Sequence, residues 1–276
     1  MKPSQVLRSS GFHERFLKHT LESRDPAVGR ALLAAEWTYL EPLLGERARA
    51  PFDVLDLACG SSHQALAWAE RGARVQGLDF DHALLVAGRD QVPEEAAGKP
   101  RVHLVCGDAT CQPYADASFD LVFNNSLLEH VEDWRSVLRE SARVLRPGGV
   151  LVVYTTNRTC PLQQEIRHFP FYSWLPDSVQ RRVLAWIMAH RRELVHFTDF
   201  PAIHWFTYGG MRQAFREVGL TPYDRLDLIA RSGGGGLRAG VARVLSRNPS
   251  LKLPYHLYSV AMALYGVRTA SESGAK

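Results

Sequence analysis

Three acidic side chains fall at or just beyond the ends of short apolar runs: Asp56 in Phe52-Asp53-Val54-Leu55-Asp56-Leu57, Asp79 after Ala73 to Leu78, and Asp108 after Val102 to Cys106. Behind the first lies a turn with a single glycine, Ala58-Cys59-Gly60-Ser61-Ser62. A dinucleotide-binding turn needs G-x-G-x-x-G, so that bare backbone can approach a pyrophosphate. This turn lacks that spacing. An acid beside it would repel a pyrophosphate and attract an ammonium or sulfonium group. Asp79 is placed for hydrogen bonds to ribose hydroxyls, and Asp108 for accepting from an exocyclic adenine amine. The chemistry implied is the binding of a cationic nucleoside.

Candidates for proton transfer are His130, just past the fourth apolar run, and His196, Asp199 and His204 further on. Each histidine can also be an ordinary structural or pocket-wall residue. Cys59 has no basic partner nearby and reads as a small apolar filler. Cys106, Cys111 and Cys160 complete the set of four cysteines, with no C-x-x-C pair and no metal spacing, so reduced thiols and no metal are expected.

The elements that must position these groups alternate. Strands are predicted over 52–57, 73–79, 102–106, 119–123 and 150–154, and helices over 65–71, 82–91 and 134–145, the last stopping at Pro147-Gly148-Gly149. Such alternation implies an α/β fold, a Rossmann-like and mostly parallel sheet with helices on both faces, whose ligands sit beyond the carboxyl ends of the strands. Ahead of it, Asp25-Pro26 reads as an N-cap with proline at the first helical position, followed by Val28, Leu32, Ala35, Tyr39 and Leu43 at helical spacing. After Asn157 the rhythm breaks for about fifty residues. It resumes with Thr207 as the N-cap of a helix to Val218, a strand over 222–229, a flexible joint at Ser232 to Gly236, a helix over 237–245, and a segment at 258–267 that reads equally as strand or helix.

The interrupting stretch, Pro161 to Phe206, is rich in aromatics. Within it Asp177 to Leu194 reads as a helix, with Val179, Val183, Trp186, Ile187 and His190 at helical spacing and arginine pairs at Arg181-Arg182 and Arg191-Arg192. It reads as a lid or extra core layer. A second reading is an interfacial helix meeting an anionic membrane or a lipid-carried acceptor. Phe12, Phe16 and Trp37 would supply the opposite pocket wall.

The 276 residues suit one large domain with an insertion, and 46% hydrophobic with 22% charged residues excludes collagenous and wholly disordered classes. With 33 Lys+Arg against 29 Asp+Glu the net charge is only +4, too mild to argue for nucleic acid. No secretory signal is visible, and no stretch approaches the roughly 18 to 20 apolar residues of a membrane span. The expected location is cytoplasmic, with peripheral contact at the inner membrane face through the 177–194 helix.

Three carboxylates, a ribose and a cation together suit S-adenosylmethionine better than NAD. The chain here resembles the class I S-adenosylmethionine-dependent methyltransferases, especially the small-molecule and quinone-type group. Val54 to Ser62 is similar to that family's D-x-G-C-G-[ST]-G turn, Gly77-Leu78-Asp79 to its ribose-binding acid, and Gly107-Asp108-Ala109 to its adenine-side motif. Phe119 to Asn125 with Leu128-Glu129-His130-Val131 resembles the fourth-strand block, and Leu145 to Leu151 the signature before the fifth strand. Ala58 and Ser62 depart from the pattern, standing where the family has glycine.

The resemblance implies a seven-stranded sheet, S-adenosylmethionine as cofactor, and binding residues Asp56, Ala58, Cys59, Gly60, Asp79, Phe80, Asp108, Ala109, Asn124 and Asn125. It implies residues 1–50 as an N-terminal helical cap, 51–156 as the cofactor-binding core, 157–206 as the lid, 207–268 as the rest of the core, and 269–276 as a disordered tail. The expected reaction is in-line methyl transfer to a small or lipid-linked acceptor, at a hydroxyl. The alternatives are C-methylation of a quinone-type ring, or cofactor binding without turnover. Nucleic-acid acceptors are not expected, since no N-P-P-[YFW] tetrapeptide follows the fourth run.

Overall fold

The computed structural model describes residues 26–49, 51–90, 92, 101–163, 165–195, 201–232 and 236–269. Its seven strands are β1 (Asp53–Leu57), β2 (Arg74–Asp79), β3 (Val102–Cys106), β4 (Phe119–Asn125), β5 (Leu145–Thr156), β6 (Leu220–Tyr223) and β7 (Ala261–Arg268). They form one sheet in the order β3-β2-β1-β4-β5-β7-β6. Pairings from β3 through β5 are parallel, whereas β7 runs antiparallel to both β5 and β6. The chain direction across the sheet reverses between β1 and β4, which opens a crevice at their carboxyl ends.

Both faces are covered. In β5 Val150, Leu151, Val152 and Val153 are all fully buried and alternate between two cores, as expected of a central strand. One core joins Leu55, Leu57, Val122, Leu151 and Val153 to α4 (Trp134–Val144) and α6 (Tyr208–Glu217). The other joins Val54, Leu121, Phe123, Val150 and Val152 to α1 (Pro26–Leu44), α2 (His63–Glu70) and α7 (Arg225–Arg231). Trp37 belongs to this second core, its ring 5.8 Å from Phe52 and 6.5 Å from Trp68. A further helix, α3 (His82–Arg89), starts at Asp81, whose carboxylate accepts from the Ala83 and Leu84 N–H groups.

Several boundaries differ from those expected. On α1 the buried positions are Leu33, Glu36, Leu40 and Leu44, one residue along from the expected stripe, and Leu32 is exposed. Glu36 decides this, since its buried carboxylate accepts from Arg225 and Tyr265 and so fixes which side faces the sheet. β5 begins at Leu145, ahead of Pro147, because Leu145 already pairs with Phe119, and Gly149 packs where a Cβ would meet the Asp120 carbonyl at 3.0 Å. The strand expected over 222–229 ends at Tyr223. Asp224 and Asp227 form a reciprocal capping box there and start α7. The segment at 258–267 resolves as strand from Ala261 on, as β7, and the joint is described only at Ser232 and Gly236. Thr207 does cap α6, accepting from the Gly210 N–H at 3.1 Å.

The insertion has its own small core of Ile166, Tyr172, Leu184, Ile187, Val195, Ala202 and Trp205. Its helix α5 (Asp177–His190) stops short of Leu194, and a 3-10 turn follows (Arg192–Leu194). The buried side of α5 is Gln180, Leu184 and Ile187, while Val179 and Trp186 face outward. Gln180 explains the rotation, donating to the carbonyls of Tyr172, Ser173 and Leu175. Ahead of β7, α8 (Leu237–Arg247) packs against α7, and a 3-10 turn (Pro249–Lys252) joins it to α9 (Leu253–Tyr258).

Candidate active site

The turn after β1 is built on left-handed backbone. Ala58, Gly60 and Ser62 have φ of 56°, 52° and 73°, a region glycine enters freely and other residues at a cost. Ala58 and Ser62 therefore hold the shape that glycine would give. The Ser62 N–H donates to the Cys59 carbonyl at 2.8 Å. Asp79, at the end of β2, locks the turn from outside. Its Oδ2 accepts from the Gly60 N–H at 2.8 Å and its Oδ1 from the Asp81 N–H at 2.9 Å. Glycines elsewhere give the turn room: a Cβ on Gly77 would meet Cys59 Sγ at 2.8 Å.

Electrostatics single out the same place. Asp56 is buried, and its Oδ2 has no hydrogen-bond partner. Burial first, and the charge of Asp79 second, push its carboxyl up to about 8. Burial also raises Asp79, against the pull of its backbone donors. Beside them Asn124, at the end of β4, is fully buried with neither amide atom partnered. Buried polar groups left without partners cost free energy, and two raised carboxylates call for a cation. These residues thus fit a ligand with a positive centre and hydrogen-bonding groups of its own.

The other expected positions lie at or just after the ends of β2, β3 and β4. Asp108 is exposed, and its Oδ1 accepts from the Thr110 N–H and hydroxyl at 2.8 and 2.7 Å. Ala109 packs against the first core, and Phe80 presents an exposed ring between Asp79 and Asp81. Asn125 is half-buried, its Oδ1 accepting from the Ser126 hydroxyl at 3.4 Å. Burial and the two neighbouring carboxylates push the Cys59 thiol far up, so it stays protonated and unreactive.

His130 sits on the loop after β4, its N–H donating to the Leu127 carbonyl at 3.0 Å. His204 is half-buried with Nε2 unpartnered, and burial lowers its pKa. His196 and Asp199, with Phe12, Phe16 and the 270–276 tail, lie outside the described residues.

Three groups at this end of the sheet carry no role assigned from the sequence. Glu129 is buried, with Oε2 accepting from the Thr155 hydroxyl at 2.7 Å, and burial raises its carboxyl to about 7. Its backbone carbonyl accepts from the Ile203 and His204 N–H groups at 2.8 and 3.1 Å, which docks the insertion over the ends of β4 and β5. From the insertion itself comes Glu165, raised by burial, pulled down by the charge of His130, and raised again by Glu129. His256 reaches the same end from the opposite side: its ring stacks on Tyr208 at 3.8 Å, and its carbonyl accepts from the Asn157 amide at 2.7 Å. Glu129 lay visible inside the Leu-Glu-His block. Glu165 and His256 carry no periodic or motif signal.

An open groove of about 600 Å³ runs between α4 and α6, lined by Arg135, Arg139, Arg143, Arg268 and Glu217 among others. None of the strand-end residues lines it. Among the described residues no group of His, Cys, Asp and Glu is placed to hold a metal ion, and no helix is long and apolar enough to cross a membrane.

Comparison with known proteins agrees with this geometry. A family model described as a methyltransferase domain matches residues 55–153. The demethylmenaquinone methyltransferase of Staphylococcus epidermidis is 30% identical over 190 residues, covering 67% of this chain and 73% of that protein. The corresponding enzyme of Shouchella clausii is 36% identical over 146 residues, 45% of this chain and 61% of that protein. A Mycolicibacterium smegmatis protein named "Probable S-adenosylmethionine-dependent methyltransferase" is 41% identical over 200 residues, 71% of this chain and 66% of its own length. Among solved structures, the plantazolicin methyltransferase BpumL in complex with SAH aligns over 95% of this chain and 92% of its own, with a TM-score of 0.57 at 11% identity. That likeness is one of fold.

Proposed function

The chain belongs to the class I S-adenosylmethionine-dependent methyltransferases, and from that premise we propose that it methylates a small or lipid-linked acceptor bearing an ionisable hydroxyl. Residues 51–156 and 207–268 hold the donor, and residues 157–206 form a lid over the acceptor. When bound, S-adenosylmethionine supplies a methyl group on a cationic sulfur that departs as a neutral thioether. Asp56 faces that cation, Asp79 accepts from the ribose hydroxyls, Asn124 and Asn125 offer hydrogen bonds beside them, and the Ala58–Ser62 turn sets the donor's distance from the sheet. Phe80, Asp108 and Ala109 bound the adenine side.

The observation that carries the acceptor half is the meeting of Glu129, His130 and Glu165 beyond the end of β4. Glu129 is buried and raised to about 7, Glu165 is raised by burial, and with the His130 imidazole they make a set of groups suited to proton transfer. Glu165 and His130 accept the acceptor's hydroxyl proton, while Glu129 holds the lid through its carbonyl. His204 and His256 line the walls. Transfer to the hydroxyl oxygen is the primary reading. Transfer to a ring carbon of a quinone-type acceptor is the second, favoured by the names of the relatives, and its ring hydroxyl needs the same deprotonation.

Labelled methyl transfer to phenols, to a naphthoquinol and to fractionated lipid extract tests this, with the product's methoxy or ring-methyl group identified by NMR. Glu165→Gln is expected to lower kcat by about 10²-fold while leaving donor affinity intact. An unchanged kcat would remove Glu165 from the proton path. Failure of S-adenosylmethionine to bind at millimolar concentration would overturn the whole site.

A further inference from the structure

The outer side of the insertion is unusual for a water-facing surface. Leu162, Phe171, Trp174 and Trp186 are 63%, 52%, 51% and 55% exposed, and Val179 is 38% exposed. Single exposed apolar residues need no explanation, but a cluster of large ones does. Phe171 is held out by its own backbone. Its φ of 63° is one a bulky side chain seldom adopts. The Phe171 N–H donates to the Pro161 carbonyl at 2.7 Å, beside Leu162.

The next residues turn inward. Tyr172 and Ser173 are buried, donating through their hydroxyls to the Gln180 and Cys160 carbonyls, both at 3.0 Å. Trp174 turns out again, its ring 5.1 Å from Phe171 and its Nε1–H donating to the Thr159 carbonyl at 3.2 Å. Phe171 and Trp174 are thus a pair presented by a fixed turn while the insertion's own core is complete without them.

Helix α5, which follows this turn, carries a second exposed line of residues. Val179, Arg182 and Trp186 succeed one another at three- and four-residue spacing along one exposed side, and the Trp186 ring stacks on His190 at 5.3 Å. Charge completes the pattern. Asp177 pairs with Arg158 at 2.7 Å and Glu193 pairs with Arg191, whereas Arg181 and Arg182 form no ion pair among the described residues. Half-exposed aromatic rings on the turn, with two arginines on the next helix that form no ion pair among the described residues, are complementary to an apolar layer under negative headgroups.

We propose that this face docks on an anionic lipid bilayer, with Leu162, Phe171 and Trp174 entering the headgroup–acyl boundary and Arg181 and Arg182 meeting lipid phosphates. The inference rests on the surface alone and is independent of which acceptor is methylated. It moves the contact from α5 as a whole to the turn that precedes it, with α5 as the flank.

Flotation of the full chain with vesicles tests it, using phosphatidylcholine alone or mixed with phosphatidylglycerol. Partition into the mixed vesicles, weakened by salt and accompanied by a blue shift of tryptophan emission, is expected. The double variant Phe171→Ser and Trp174→Ser should lower partition about tenfold or more, and Phe171→Trp should preserve it. Arg181→Gln with Arg182→Gln should cost severalfold at low salt and flatten the salt dependence. S-adenosylhomocysteine binding, measured alongside, certifies folding and reports separately on the donor site. No flotation with either vesicle, or equal flotation of the wild type and the folded serine variant, overturns the proposal. So does concentration-dependent dimerisation abolished by the same serines, which would make a second copy the occupant.

Discussion

Ala58 and Ser62 show how a motif can lose two glycines and keep its conformation. Each occupies the left-handed region, where an L-residue with a Cβ bears a local cost of about 1–2 kcal/mol. Returning glycine removes that cost but adds unfolded-chain entropy of about 0.5–1 kcal/mol. Ser62→Gly is therefore expected to stabilise the protein by about 0.5–1 kcal/mol, raising Tm by roughly 1–2 °C, and Ala58→Gly to do the same. Thermal unfolding without ligand checks both. A lower Tm in either variant would mean that the side chain's packing outweighs the backbone cost. These two positions were legible because the turn is read from residue types in a row. Glu165 and His256 were not, because their chemistry comes from burial and from neighbours distant in sequence.

At the scale of elements, the donor turn is set by what packs behind it. Gly88 in α3 lies against the turn, and a Cβ there would stand 2.8 Å from the Ser61 carbonyl carbon and 2.5 Å from Ser62 Oγ. Backbone cannot yield as a side chain can, so Gly88→Ala should displace the turn. Donor affinity should fall, with a stability loss of about 1–3 kcal/mol. Calorimetric titration with S-adenosylhomocysteine reads the first effect, and unchanged affinity would show that the helix yields instead.

A second element-level device lies at α7. Asp224 caps the helix and also accepts from buried Lys252 at 2.7 Å, tying the segment that carries His256 to the body of the fold. Asp224→Ala removes a cap and strips a buried ammonium of one of its two carboxylates. A loss of about 3 kcal/mol or more is expected in urea unfolding, and Asp224→Asn should recover the cap but not the charge. This helix was misread as strand because Pro222 to Ile229 alternates locally. A capping pair, Asp224-x-x-Asp227, stands inside that run. The stripe on α1 slipped by one residue for a related reason: Glu36 is buried by a partner, Arg225, that no periodicity reveals.

The whole molecule is electrostatically polarised along its strands. At the amino ends the acids are matched: Asp53 is bound by Arg74 and Arg146, which hold its carboxyl low against burial, and Asp120 also pairs with Arg146. At the carboxyl ends burial raises Asp56 to about 8 and Glu129 to about 7, and Asp79 and Glu165 move the same way. Perturbed acids gathered at one end are the mark of a site that awaits a ligand.

Linkage gives this asymmetry a sign. A carboxyl whose folded pKa exceeds its unfolded value near 4 binds more protons when folded, so stability falls as pH rises through that window. Asp53, with its pKa lowered, acts only below about pH 4. His204 and His256, both lowered by burial, act in the opposite direction below 6.5. Between pH 6.5 and about 8 the raised acids dominate. The ligand-free protein should lose thermal stability across that interval, and Asp56→Asn should flatten the loss while weakening donor affinity. A cationic donor should restore most of the loss by favouring the ionised carboxylates. Its binding at pH 7 should release protons, detectable as a dependence of calorimetric enthalpy on the buffer's ionisation heat. Binding without proton release would mean that Asp56 is already ionised in the empty site, and the polarity drawn from it would fail.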